Sequence, residues 1–188
     1  MRLGWGPCRS SPAGRYLLAT AHPAALTPSV DKAALLHAVI AQLEAELALQ
    51  TAAAHASHDE ATDEESRAED KYDMRSQSAA YLAAGQSRLA TEIADAIAAY
   101  RLLSPRAFAP DEPIAVGALV TLAARGRETR WFLGPLHGGM EVVVNGIEVT
   151  VITAVSPIGR QLVARSVNDR VYLPGRPQPL EHQVVAVG

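Results

Sequence analysis

Two apolar seams of equal spacing, one on either side of an acid-rich stretch, constrain the fold of this chain more than anything else in its sequence. Leu36, Ile40, Leu43, Leu47, Gln50 and Ala54 recur at alternating three- and four-residue steps, as do Leu82, Gly85, Leu89, Ile93, Ala96, Tyr100 and Leu103. That spacing lines each set along one side of an α-helix. In an antiparallel pairing Leu36 faces Leu103, Ile40 faces Tyr100, Leu43 faces Ala96, Leu47 faces Ile93 and Gln50 faces Leu89, and every pair of numbers adds to 139 or 140. The register turns the chain back near Glu69 and Asp70. It predicts an antiparallel coiled-coil hairpin over residues 31–104, begun by Asp31 as a helix N-cap.

The fold-back is where the negative charge sits. Residues 59–73 hold eight acids against Arg67 and Lys71, in a chain whose net charge is only −3, so the remainder is net positive. Carboxylates crowded onto a narrow turn are most simply a solvated tip; they can also complete the oxygen shell of a hard divalent cation or meet a basic partner. Roughly 30 residues from base to tip make an arm about 45–50 Å long. Its seam passes outward from Leu and Ile to Ala, Gly and Ser, which predicts a thin outer arm.

The rest of the chain divides in two. Residues 1–30 hold Arg2, Arg9 and Arg15, no acid, four prolines and no periodicity, the pattern of a disordered extension. The alternatives are a weak targeting segment or a reading frame that truly starts near Val30. After Ser104-Pro105 stops the second helix, residues 111–188 change to strand periodicity at 118–122, 129–133, 140–144, 148–153, 170–173 and 183–187. Turns are marked by Arg125-Gly126, His137-Gly138-Gly139, Asn145-Gly146 and Pro174-Gly175. A short helix is expected over residues 156–163, with Ser156 as cap and Pro157 in the first turn, Ile158 and Leu162 buried and Arg160 exposed. The chain is thus expected to be α+β, with a helical hairpin followed by a compact β-rich domain.

The order of a strand, then Ser156-Pro157-Ile158-Gly159-Arg160-Gln161-Leu162, then Asn168-Asp169-Arg170-Val171 leading into the next strand, resembles the C-terminal domain of the bacterial Gre transcript cleavage factors. That family typically reads Ser-Pro-Ile-Ala-Arg-Gly-Leu there, and an antiparallel coiled coil precedes it, so the resemblance covers residues 31–188. It implies an FKBP-like antiparallel β domain that binds bacterial RNA polymerase at the rim of its secondary channel, through Ser156, Pro157, Ile158 and Arg160. It also implies that the coiled coil reaches the polymerase active centre, contacting the RNA 3′ end indirectly, and that tip acids there help hold the second catalytic Mg²⁺ and a water. The polymerase then cleaves its own backtracked transcript.

The family tip carries an Asp and then an acid inside a Glu-Asn-Ala-Glu-Tyr pattern. Here the nearest match is Glu65 with Glu69-Asp70-Lys71-Tyr72, one residue shorter before the tyrosine. Glu65 and Glu69 are the implied metal-holding pair, with Glu64 and Asp70 as neighbouring candidates. A carboxylate supplied in trans suits two-metal phosphodiester hydrolysis, because the second ion must be held weakly and reversibly. The expectation is an accessory factor rather than an enzyme: a cytoplasmic monomer, with no cofactor of its own beyond Mg²⁺ shared with the polymerase. Inhibition or passive competition at the same channel, and a hairpin that serves as an unrelated interaction module, are the alternatives.

Other signals carry less. His55 and His58 stand one helical turn apart with Asp59 adjacent, which is metal-ligand spacing, but two imidazoles on an exposed helix are more simply solvated. No nucleophile elbow, phosphate loop or dinucleotide fingerprint occurs. Residues 111–188 contain seven arginines, seven acids and no lysine, and so offer no broad basic face for nucleic acid. An FKBP-like domain raises prolyl isomerase activity, which the scarcity of aromatic residues argues against. Trp131 and Phe132 adjoin in a strand and must take opposite faces, one for the core and one available to a partner.

Overall fold

A computed structural model describes residues 30–62, 74–109, 111–173 and 179–188. Two long helices, α1 (Lys32–Thr62) and α2 (Met74–Leu102), precede six strands: β1 (Leu119–Ala124), β2 (Arg127–Gly134), β3 (Glu141–Val144), β4 (Ile147–Thr153), β5 (Arg170–Leu173) and β6 (Leu180–Val187). One helical turn, α3 (Gly159–Leu162), lies between β4 and β5. Asp31 caps α1 as its position predicts: its carboxylate accepts from the Ala33 N–H at 3.0 Å, and its carbonyl takes the first helical bond, from Leu35, at 2.9 Å.

The strands form one six-stranded sheet in the order β3-β4-β2-β1-β6-β5. It is mixed, which corrects the expectation of an antiparallel domain: β2 and β4 run parallel, from Trp131 beside Thr150 to Gly134 beside Thr153. The physical reason lies in burial. Val149, Val151 and Ile152 of β4 are buried on both faces, so β4 takes an interior place against β2, and β3, buried on alternate residues, is left as the edge. Period-two alternation marks a strand but does not state its direction.

Consecutive residues divide the core between the two sheet faces. On one face Leu119, Phe132, Val142, Val149 and Val151 join Leu35, Leu36, Val39 and Leu43 of α1 and Ile93, Ala96, Ile97 and Tyr100 of α2 in a single cluster. The beginning of α1 and the end of α2 are therefore packed together on the sheet, and Glu44 and Arg101 bridge the two helices at 2.6 Å. On the other face Val120, Leu122, Leu133, Ile152, Val171 and Val184 are covered by Leu162 of α3 and by Phe108 and Ile114 of the segment after α2. That segment is bound to α1 as well: the Lys32 ammonium donates to the Arg106 carbonyl at 2.5 Å and stands 4.6 Å from the Phe108 ring centre.

Candidate functional site

The turn after β4 is built by one serine and one glycine. Ser156 Oγ donates to the Thr153 carbonyl at 2.8 Å and accepts from the Gly159 N–H at 3.0 Å. Arg160 N–H donates to the Ser156 carbonyl at 2.9 Å, so helical bonding starts at Ser156 although regular helix spans only Gly159–Leu162. The expected helix over residues 156–163 is shorter than its sequence suggested, because the backbone tightens against Thr153. A Cβ on Gly159 would overlap the Thr153 carbonyl oxygen, so no larger residue fits there without moving β4.

Beside this turn lies a cleft of about 370 Å³ lined by Gly138, Gly139, Ile152, Thr153, Ser156, Pro157 and Ile158. Its lining is almost wholly apolar, the character of a surface that takes a hydrophobic side chain. Leu162 is fully buried and Arg160 exposed, as expected. Ile158 differs from expectation: it is only half-buried, because its side chain is shared between the second core cluster and the wall of the cleft. Ser156, Pro157 and Ile158 are thus brought together around one concavity, while Arg160 stands outside its lining.

The opposite wall belongs to the loop between β2 and β3, and that loop is fastened to the helices. The Tyr100 hydroxyl donates to the Leu136 carbonyl at 2.9 Å, and His137 Nε2 stands 3.2 Å from the Glu46 carboxylate. Burial pushes the Tyr100 phenol well above its usual range, so it serves only as a neutral donor here. Gly134 lets the tyrosine approach, since a Cβ there would overlap the hydroxyl. None of this was legible as a site in the sequence. The signal that existed was the Gly138-Gly139 pair: Gly139 has φ +102°, and Gly138 lies so close to Thr153 that a Cβ would stand 3.1 Å from its nitrogen.

Glu64, Glu65, Glu69 and Asp70, the candidates of the acidic tip, lie outside the described residues. Among the described residues no group of three His, Cys, Asp or Glu side chains is placed to hold a metal ion, and no helix is long and apolar enough to cross a membrane. His55 is exposed. Phe132 is buried and Trp131 half-buried, on opposite faces of β2.

The molecule is thus an α+β protein with a helical pair docked by its base on a six-stranded mixed sheet. No protein-family model and no curated protein matches its sequence. Among solved structures it is similar to the GreA factor homolog Gfh1 of Thermus thermophilus, at 19% identity and a TM-score of 0.34 over 79% of this chain and 94% of that one. It is likewise similar to Gfh1 of Thermus aquaticus, at 20% identity and a TM-score of 0.35 over 84% and 94% of the two chains. A prokaryotic transcription elongation factor GreA/GreB from Nitrosomonas europaea is similar at 20% identity and a TM-score of 0.33, over 55% of this chain and 78% of that one. Likenesses at these scores carry no inference about chemistry.

Proposed function

We propose that this chain is a transcription elongation factor that binds bacterial RNA polymerase and acts through its secondary channel. The β domain docks on the rim by the turn at residues 156–160, and the helical pair, a coiled-coil hairpin in this reading, carries its acidic tip to the active centre. There Glu65 and Glu69, backed by Glu64 and Asp70, help hold the polymerase's second Mg²⁺ and orient the water that cleaves backtracked RNA. The observation that carries the reading is the conjunction of the Ser156-Pro157-Ile158 turn, opening on an apolar cleft, with a helical pair whose base is fixed to the same sheet. The loop that walls the cleft is bonded to both helices through Tyr100 and Glu46. A partner seated in the cleft would therefore set the direction of the arm.

The test has two steps. Co-purification with core RNA polymerase, followed by competition against a known channel-binding factor, reads docking; undiminished binding under competition means another site. Release of short 3′ RNA from a backtracked elongation complex with Mg²⁺ then reads chemistry. Glu65→Ala with Glu69→Ala abolishes release and leaves binding, whereas suppression of elongation by the unaltered chain, through the same carboxylates, identifies an inhibitor. Arg160→Glu leaves the fold intact and weakens binding.

A further inference from the structure

The sheet contains a gap that the proposed docking does not use. β2 and β4 are neighbours, yet they pair only from Trp131 beside Thr150 onward. Before that point residues 127–130 of β2 pair with β1 alone, and residues 147–149 of β4 pair with β3 alone. Extending the parallel register backward sets residue 128 across from 147 and 130 across from 149, so two open strand edges face one another. Between them is a cleft of about 300 Å³ lined by Glu128, Thr129, Arg130, Trp131, Gly146, Ile147, Glu148 and Thr150. Every second residue of an open edge directs its N–H and C=O outward, and such groups are a template for another extended chain.

The charge of the lining selects the occupant. Arg130 stands 3.7 Å from Glu128 and is spoken for by it. Glu148 is exposed and has no ion pair among the described residues, and it lies on the same sheet face as Trp131 and Thr150. Trp131 Nε1 donates to Thr129 Oγ1 at 3.0 Å, which fixes the indole beside Thr129. A cation reaching Glu148 would pass beside an indole already held in place, whereas a phosphate or carboxylate ligand would meet Glu128 and Glu148 first.

We infer that the cleft between the diverging ends of β2 and β4 is a binding site for an extended, lysine- or arginine-bearing peptide segment of a partner protein. The peptide adds backbone hydrogen bonds to the two open edges and sets its basic side chain against Glu148. This site is distinct from the cleft at Ser156–Ile158 and does not depend on polymerase binding.

The probe is the blocked pentapeptide acetyl-Val-Thr-Lys-Val-Thr-amide, titrated into the full chain carrying Trp5→Phe so that Trp131 alone reports by fluorescence. Saturable change, with amide-exchange protection confined to residues 127–130 and 146–150, is the expected result. Backbone N-methylation of the probe removes donors without changing its side chains, and is expected to weaken binding about 3- to 10-fold. Replacing its lysine by glutamate, and separately Glu148→Lys in the protein, should each weaken binding about 3-fold or more, the protein variant with an unchanged unfolding midpoint. The inference is overturned by absence of saturable binding, by equal binding of the N-methylated or glutamate probe, or by protection that maps to the outer edges β3 or β5 instead.

Discussion

The two ends of the described helical pair are made of similar residues and do different things. At the base Leu35, Val39, Leu43, Ile93, Ala96 and Tyr100 are essentially inaccessible, because α1 and α2 meet the sheet as well as each other. Farther out Leu49, Tyr81 and Leu82 are 71%, 74% and 56% exposed. Helical periodicity alone does not distinguish them; what differs is the presence of a third surface. A two-helix contact buries one narrow stripe and leaves Leu49 and Tyr81 on its flanks. At Leu82, which the spacing placed on the seam itself, even that stripe is open. The base is thereby an anchor, and the outer pair is left with apolar side chains in solvent, available to whatever encloses it.

The largest contrast should come from truncating one leucine in each region. Leu43→Ala removes a fully buried side chain from the shared core and should cost about 3 kcal/mol. Leu82→Ala should change stability by no more than about 0.5 kcal/mol. Urea denaturation followed by circular dichroism measures both. Equal costs would mean that the outer pair is as tightly enclosed as the base.

Next in size is the bond that ties the base to the cleft. Tyr100→Phe keeps the ring in the core and leaves the Leu136 carbonyl without its donor, which should cost about 1–2 kcal/mol. Its sharper sign is local: amide exchange in residues 134–139 should quicken while the outer helices are unaffected. Exchange unchanged in that loop would show that Tyr100 merely fills space.

Much of this was legible before the structure. Both long helices, the Asp31 cap and all six strands follow from local spacing and turn chemistry. Arg125-Gly126 and Asn145-Gly146 each supply two successive residues at positive φ for a two-residue hairpin loop. What local spacing does not encode is which elements meet. The parallel pairing of β2 with β4 and the seating of the helices on the sheet depend on contacts far apart in sequence. A trace of the latter existed: the doublets Leu35-Leu36, Val39-Ile40 and Ala96-Ile97 widen the apolar stripe beyond one seam, the mark of a helix with two partners. The apolar cleft was half legible, since the turn at residues 156–160 was singled out but its opposite wall was not.

A smaller effect follows from Lys32, which sits where α1, the Arg106 carbonyl and the Phe108 ring converge. Burial, with the nearby Arg106 guanidinium as the lesser cause and Glu112 partly opposing, brings its ammonium down to about 8. A lysine whose folded pKa is depressed binds fewer protons folded than unfolded between about pH 8 and 10, so its contribution makes stability rise with pH across that window. Above pH 10 the buried Tyr100 acts in the opposite sense, because only the unfolded phenol ionises there. Lys32→Met, which keeps the contact with Phe108, should flatten the rise between pH 8 and 10. A pH profile parallel to that of the unaltered chain would remove Lys32 from the anchor.

The smallest effect sharpens the comparison most, because it sets like against like. Among the described residues one Arg–Glu pair lies within the base and another just beyond it: Arg101 with Glu44 between the helices at 2.6 Å, and Arg88 with Glu92 along α2 at 3.1 Å. Both are largely exposed, so neither should contribute more than about 1 kcal/mol. The outer pair also has its arginine on the N-terminal side, the weaker order for an i, i+4 pair, and should contribute about 0.3 kcal/mol or less. The inner pair joins two helices whose separation is already fixed by the core, so less side-chain freedom is lost in forming it. Double-mutant cycles with alanine at each pair should therefore give a larger coupling for Arg101–Glu44, and salt should reduce both. A coupling at Arg88–Glu92 equal to or above that of the inner pair would mean the outer helices are held in a fixed geometry of their own, and the division into anchor and free arm would fail.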